Sequence, residues 1–241
     1  MTSNIFVAGA TGVIGRRLVP LLVARGWRVH ASTRSIDKAP SLAAAGATPA
    51  VVDAFDAPGL EAAVRAAHPE VVVHLLTDLP AGLDASRMEE GMRRNARMRR
   101  EGTANLVVAA QAAGARRIVA QSIAWAYAPG TRPFDETQPL DLSAEGLRGI
   151  SVGGVSALET AVLAAPGIDA TVLRFGQLYG PGTGSDDANG KAIPLHIDAC
   201  AAAFVLAIEA RRPGIYNIAE ANGEVSTHKA QSELGWDAIR R

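Results

Sequence analysis

Residues 4–17 read Asn4-Ile-Phe-Val-Ala-Gly9-Ala-Thr-Gly12-Val-Ile-Gly15-Arg16-Arg17. An apolar run, Asn4–Ala8, has the composition of a buried strand and leads straight into glycines spaced three and three. A helix-type pattern begins inside the motif and continues over Val13–Arg25. Gly9 permits a tight turn, Gly12 lets backbone approach a pyrophosphate, and Gly15 allows a helix to pack closely on the strand. The helix N-terminus then offers free N–H groups and partial positive charge to phosphate oxygens. Within this motif Gly9, Thr11, Gly12, Val13, Ile14 and Gly15 are the expected phosphate-side contacts.

Outward from the motif, strand-like and helix-like stretches alternate. Further strands are expected at Trp27–Ser32, Thr48–Val52, Glu70–Leu76, Arg117–Ser122 and Asp169–Phe175. Most are continuous apolar runs, as in parallel sheets covered on both faces. Helices are expected near Ser41–Ala45 and over Pro58–Ala67, Met88–Ala113 and Val152–Ala165. Repeated βαβ units imply an α/β fold, a Rossmann-type doubly wound parallel sheet. Residues 1–175 read as the dinucleotide-binding domain. Residues 176–241, with a Gly/Pro/Asp/Ser-rich loop, one helix (Asp198–Ala210), one short strand (Gly214–Ile218) and a weakly patterned tail, read as a small C-terminal cap.

Composition removes several classes of function. Of 241 residues, 48% are hydrophobic and 20% charged, which suits a packed core. Lys+Arg and Asp+Glu are both 24, so the net charge is zero and no basic footprint for nucleic acid or membrane surfaces exists. The longest uncharged apolar stretch, Ala199–Ile208, is half of the roughly 20 residues a membrane span needs. The N-terminus has no basic segment ahead of its apolar run, unlike a secretory signal. The single cysteine, Cys200, forms no internal disulfide. Together these place the protein in the cytoplasm. No His/Cys/Asp/Glu grouping has metal-ligand spacing, so no metal is expected.

The end of the second strand bears on which dinucleotide binds. NAD sites usually place a carboxylate there for the ribose 2′-hydroxyl. Here the segment is Ala31-Ser32-Thr33-Arg34-Ser35. Arg34 pairs readily with a 2′-phosphate, with Thr33 and Ser35 as hydrogen-bond partners, so NADP(H) is expected over NAD(H). Asp53 and Ala54 follow the third strand on the adenine side. Leu75, Leu76 and Thr77 at the end of the fourth strand, and Gln121 on the fifth, complete the expected cofactor wall.

These motifs, with Val71-Val-Val-His-Leu, Gly102-Thr-Ala-Asn-Leu106, Leu173-Arg174-Phe175 and Leu178-Tyr179-Gly180-Pro181-Gly182, resemble the extended and atypical short-chain dehydrogenase/reductases. The likeness is to the NAD-dependent epimerase/dehydratase group, and Pro194-Leu-His196-Ile-Asp198 and Leu234-Gly235-Trp236 extend it. The resemblance implies a nicotinamide dinucleotide and a Tyr–Lys pair four residues apart on one helix, with a nearby Ser. It also implies dimerisation through Met88–Ala113 and Val152–Ala165.

The chain departs from that pattern where the chemistry would be. Counting back from Glu159 puts Ser151 in the Tyr position and Val155 in the Lys position, and the only three lysines are Lys38, Lys191 and Lys229. Ser122 matches the first serine of the family's pair while Ile123 fills the reactive one. Arg99 stands where the family tends to place Asn, with Asn95 one turn earlier. About a dozen residues separate Gly182 from the His-Asp segment, so little substrate-binding structure is inserted there.

Any surviving acid–base chemistry is therefore assigned to Ser122 and Tyr127, with Tyr127 as the acid. His74 reads as a hydrogen-bonded core histidine and Ser151 as a helix N-cap. Arg93, Arg94, Arg97, Arg99 and Arg100 read as a mostly solvated helix face, one of which could meet an anionic substrate. The expected function is an NADP(H)-dependent oxidoreductase on a small carbonyl or hydroxyl compound. A non-catalytic NADP(H) sensor or scaffold and a nucleotide-sugar epimerase or dehydratase are the alternatives.

Overall fold

A computed structural model describes residues 3–239. In chain order the elements are β1 (Asn4–Ala8), α1 (Val13–Ala24), β2 (Arg28–Thr33), α2 (Ala39–Ala44), β3 (Thr48–Val51), α3 (Ala57–Ala67) and β4 (Val71–His74). Next come α4 (Met88–Arg97), α5 (Thr103–Ala112), β5 (Arg117–Ile123), α6 (Gly146–Leu163) and β6 (Asp169–Phe175). The last are β7 (Gln177–Tyr179), β8 (Pro194–His196), α7 (Ile197–Ala210), β9 (Gly214–Ile218) and α8 (His228–Leu234).

Seven strands form one parallel sheet in the order β3-β2-β1-β4-β5-β6-β9. Residues alternate between faces along each strand, so Val71 and Val73 join the core under α1 and α7, while Val72 joins the one under α3, α5 and α6. The strand order reverses between β1 and β4. In open parallel sheets such a reversal leaves a crevice at the carboxyl ends of the strands. The register aligns Ala8, His74 and Ala120 across β1, β4 and β5, so Gly9, Leu75 and Gln121 share one rim of that crevice.

Three sequence expectations change. The strand Gly214–Ile218 and the helix before it do not stand apart as a cap. As β9 and α7 they supply the sheet's seventh strand and pack against α1 in the main core. An apolar five-residue strand carries no mark of which sheet it joins, which is why composition alone misplaces it. The stretch Met88–Ala113 is not one α-helix, because a π-turn at Met98–Gly102 separates α4 from α5. α6 begins at Gly146, so Ser151 lies in its second turn and caps nothing. Among the described residues no helix is long and apolar enough to cross a membrane.

Candidate active site

The glycine turn is built as its spacing requires. Gly9 adopts φ +83°, and a Cβ there would sit 2.7 Å from the Leu75 carbonyl oxygen. A Cβ on Gly15 would run into the Ala10 backbone. Gly12 differs: its φ is −70°, its side is exposed, and a Cβ would meet only the Gly9 oxygen at 3.3 Å. Gly9 and Gly15 thus serve the fold, while Gly12 keeps open space at the start of α1. The first intrahelical bond is Arg16 N–H to Gly12 O at 3.0 Å, and no side chain caps the helix. The amides of Val13, Ile14 and Gly15 are left facing that space, which fits a pyrophosphate. Across it lies the Gly180–Gly182 loop, tethered by Arg17 through Pro181 O at 3.4 Å and Asp198 at 3.3 Å.

At the end of β2, Thr33 is buried and its hydroxyl accepts from Ser35 N–H at 3.2 Å. The exposed Arg34 guanidinium lies 3.1 Å from Asp78, which also pairs with Arg94 at 3.5 Å. Asp78 N–H in turn donates to Asn95 Oδ1 at 2.9 Å. Asp53 accepts from Phe55 N–H at 2.9 Å, Ala54 is buried with its carbonyl bonded by Asn105, and Thr77 is exposed at the rim. Leu75 is buried and Leu76 and Gln121 are half-buried beside it. These residues lie at or just past the carboxyl ends of β1 to β5, on the side of the sheet where the strand order reverses.

The two residues assigned to catalysis are placed otherwise. Ser122 is 1% exposed and its hydroxyl donates to Glu159 Oε1 at 2.6 Å. Arg174 grips the same carboxylate twice, at 3.0 and 2.7 Å. The bond to Glu159 on α6 holds Ser122 in the helix layer. Tyr127 donates its proton to Asn217 Oδ1 at 2.6 Å, and burial raises its pKa. Arg174 stacks 4.9 Å from its ring centre. Both hydroxyls donate within the protein: Ser122 to the carboxylate of a buried ion pair, Tyr127 to Asn217.

The Tyr127 ring belongs to a cavity of about 390 Å³ at the carboxyl ends of β5 and β6, walled by Trp125, Tyr127, Phe134, Arg132, Arg148 and Gln177. Arg132 is paired with Glu224 at 2.9 Å and Arg148 with Asp141 at 2.9 Å. A second depression, between α3 and α5, lies on the outer helix layer and contains none of the expected cofactor residues.

The positions that the resemblance assigns to Ser and Lys are apolar and pack together. Ile123 and Val155 join Val152 and Ala126 in one buried cluster. Next to it, Arg99 is buried, with Nη1 donating to Ser151 O at 3.4 Å and Ser151 Oγ at 3.5 Å. Burial lowers its pKa to about 10, with Glu159 opposing the shift. His74 is fully buried, donor–acceptor partner of Thr103 at 2.8 Å, and burial drops its pKa to about 4. From sequence Arg99 reads as one of five arginines on a mostly solvated helix face, one of which could meet an anionic substrate, and stands at the family's Asn position. The π-turn turns it inward, and no periodicity in that basic run announces such a turn.

The parallel sheet and the open glycine turn at the strand reversal define a Rossmann-type dinucleotide-binding scaffold, and the chain belongs to the NAD dependent epimerase/dehydratase family, which it matches over residues 5–216. It is 42% identical over 237 residues to a Streptomyces protein named 3-diazoavenalumate denitrifying reductase, covering 90% of this chain and 76% of that one. Among solved structures it resembles UDP-glucose 4-epimerase of Thermotoga maritima, with TM-score 0.77, 20% identity and coverage of 98% and 94% of the two chains. The dTDP-glucose 4,6-dehydratase of Streptomyces venezuelae gives TM-score 0.78, 18% identity and coverage of 98% and 92%. At those identities the likeness to solved structures is one of fold.

Proposed function

We infer that this chain is a nicotinamide-dependent reductase whose reaction needs no proton from a Tyr–Lys pair, and that it acts on an aromatic diazo compound. One observation carries the reading: the positions where acid–base groups would sit hold the apolar cluster of Ile123 and Val155. Reducing a carbonyl creates an oxyanion that must be protonated, and epimerising a sugar requires a base for its hydroxyl. Replacing an aryl diazonium with hydrogen requires neither. The carbon–nitrogen bond breaks with its electron pair leaving on dinitrogen, and the ring carbon accepts a hydride with its own pair. The name of the 42% identical relative, a denitrifying reductase of a diazo-substituted acid, describes a reaction of this kind.

When bound, the dinucleotide would supply the hydride. Gly12 and the Val13, Ile14 and Gly15 amides would hold its phosphates. Asp53 would face the adenine side. The exposed Arg34, with no carboxylate on the end of β2, supports NADP(H) over NAD(H). Trp125, Tyr127 and Phe134 offer aromatic walls for a ring, worth about 0.5–1.5 kcal/mol per stacked pair. The buried, unpaired Cys200 accords with a cytoplasmic setting.

The test supplies the purified protein with NADPH deuterated at the transferable position and an ortho-diazophenol bearing a carboxylic acid side chain. Release of dinitrogen with one deuterium at the former diazo carbon is expected, at a rate well above that of boiled protein. Turnover of aldehydes or ketones with none of the diazo compound would reject the reading.

A further inference from the structure

We propose that Arg99 and Ser151 form an anion-binding corner of the substrate site, which takes a negatively charged oxygen of the substrate in the place where the family resemblance puts a tyrosine. The inference rests on the reading that the aromatic cavity, which Arg148 lines one helical turn from Ser151, is the substrate site.

The charge count behind the cleft carries the argument. In the layer between the sheet and α6, the Arg99 charge acts on His74 and is opposed by that of Glu159, which is itself bonded to Arg174. Glu159 is consumed by the two-pronged bond to Arg174 and the Ser122 hydroxyl. His74 is held neutral at physiological pH by burial. The group therefore keeps one positive charge with no counterion. Among the described residues no carboxylate lies within salt-bridge distance of Arg99, and its only hydrogen bonds are the two long ones to Ser151. An uncompensated buried guanidinium is costly, and an anion arriving beside it removes that cost.

The backbone is shaped to put the cation there. The π-turn at Met98–Gly102 directs Arg99 inward, although Arg93, Arg97 and Arg100 of the same stretch are exposed. Gly154 on α6 opens the route, since a Cβ there would stand 3.0 Å from the Ala96 Cα and 3.4 Å from the Arg99 Cδ. Ser151 lies one helical turn from Arg148, which lines the aromatic cavity, so both belong to the same face of α6. The cavity's own arginines, Arg132 and Arg148, already have Glu224 and Asp141. Of the described arginines around the cavity and the layer behind it, Arg99 is the one without a carboxylate within salt-bridge distance, and a guanidinium with a neighbouring hydroxyl matches the oxygens of a carboxylate or an acidic phenolate.

Calorimetry of the protein saturated with NADP⁺ tests this without any turnover. The probes are 4-hydroxycinnamate, its methyl ester and, at pH 8.5, 4-nitrophenolate. At least one anion is expected to bind tenfold or more tightly than the ester, the responding probe telling carboxylate from phenolate. Arg99→Met is expected to erase that preference while leaving NADP⁺ affinity unchanged, Arg99→Lys to keep part of it, and Ser151→Ala to weaken it severalfold. Wild-type protein that binds the ester as well as the anions, or binds none of the three, overturns the proposal. So does a preference that survives Arg99→Met. Should Arg99→Met fail to fold, Ser151→Ala and Arg99→Lys decide, and unaltered anion preference in both overturns it. If the anion preference holds while diazo compounds are not reduced, the reductase reading falls and the subsite stands.

Discussion

Ile123, at the end of β5, and Val155, on α6, meet in one buried cluster with 6% and 0% of their surfaces exposed. The two positions where the resemblance puts a reactive Ser and a Lys are thus filled by apolar side chains packed on each other. Val155→Ala is expected to lower stability by about 2 kcal/mol from lost burial and the cavity left behind. Val155→Lys is expected to cost more, because an ammonium would enter an apolar site without a partner. Urea denaturation of both variants checks the order, and a Lys variant as stable as wild type would contradict it.

Gly12 and Gly15 separate binding from folding. In Gly12→Val the added Cβ presses on one atom of the folded chain, the Gly9 carbonyl oxygen at 3.3 Å, so its melting temperature should fall less than that of Gly15→Ala while NADPH binding is lost as the side chain enters the phosphate space. Gly15→Ala forces α1 off the Ala10 backbone, so its melting temperature should fall. Parallel thermal melts and cofactor titrations read both effects.

Arg34→Asp should weaken NADPH by at least about tenfold more than NADH, since only the former carries a 2′-phosphate for the guanidinium. Equal losses would leave Arg34 as a partner of Asp78 alone.

Glu159→Gln leaves Arg174 buried beside a neutral amide and is expected to destabilise the fold by about 3–5 kcal/mol. Ser122→Ala keeps the two-pronged ion pair, so only about 1–2 kcal/mol should be lost and turnover should persist. Loss of activity in a stable Ser122→Ala protein would restore the serine to catalysis.

His74 ties stability to pH. Its folded pKa is about 4, lowered by burial and by Arg99, against about 6.5 in the unfolded chain. Above pH 6.5 both states keep it neutral. Between pH 6.5 and 4 only the unfolded chain takes the proton, so stability falls as pH falls, by about 2 kcal/mol at pH 5. Below pH 4 its contribution is flat. Urea midpoints at pH 7 and 5 should converge between wild type and His74→Gln on acidification, with the variant losing less.

Much of this fold was readable because a buried parallel strand advertises itself. Asn4–Ala8 and Asp169–Phe175 match their strands end for end, and Val71–His74 lies within the longer expected run. The glycine turn was legible because each glycine answers a separate steric demand. The side chains around the reaction centre were not. Ser122 lies on the expected strand, but the face it takes depends on the alternation of β5 against a helix whose position no local pattern fixes. Tyr127 is paired with Asn217, ninety residues away on a strand expected in a cap. Arg99 owes its burial to one extra residue in a helical turn. α8 was not anticipated, since seven residues with two buried positions give little periodic signal.

The seventh strand has a consequence for how the chain is made. During synthesis, β6 emerges with its outer edge bare, a row of backbone donors and acceptors along an apolar strand, and nearly forty residues must follow before β9 covers it. In that interval the nascent chain offers a template for pairing with its neighbours. α7 must cross the sheet first, and the Trp236 indole then fastens the tail by donating to Ala199 O at 3.1 Å. A fragment stopped at residue 175 would keep every glycine of the cofactor turn and still expose that edge, so its expected fate is aggregation rather than an isolated binding domain.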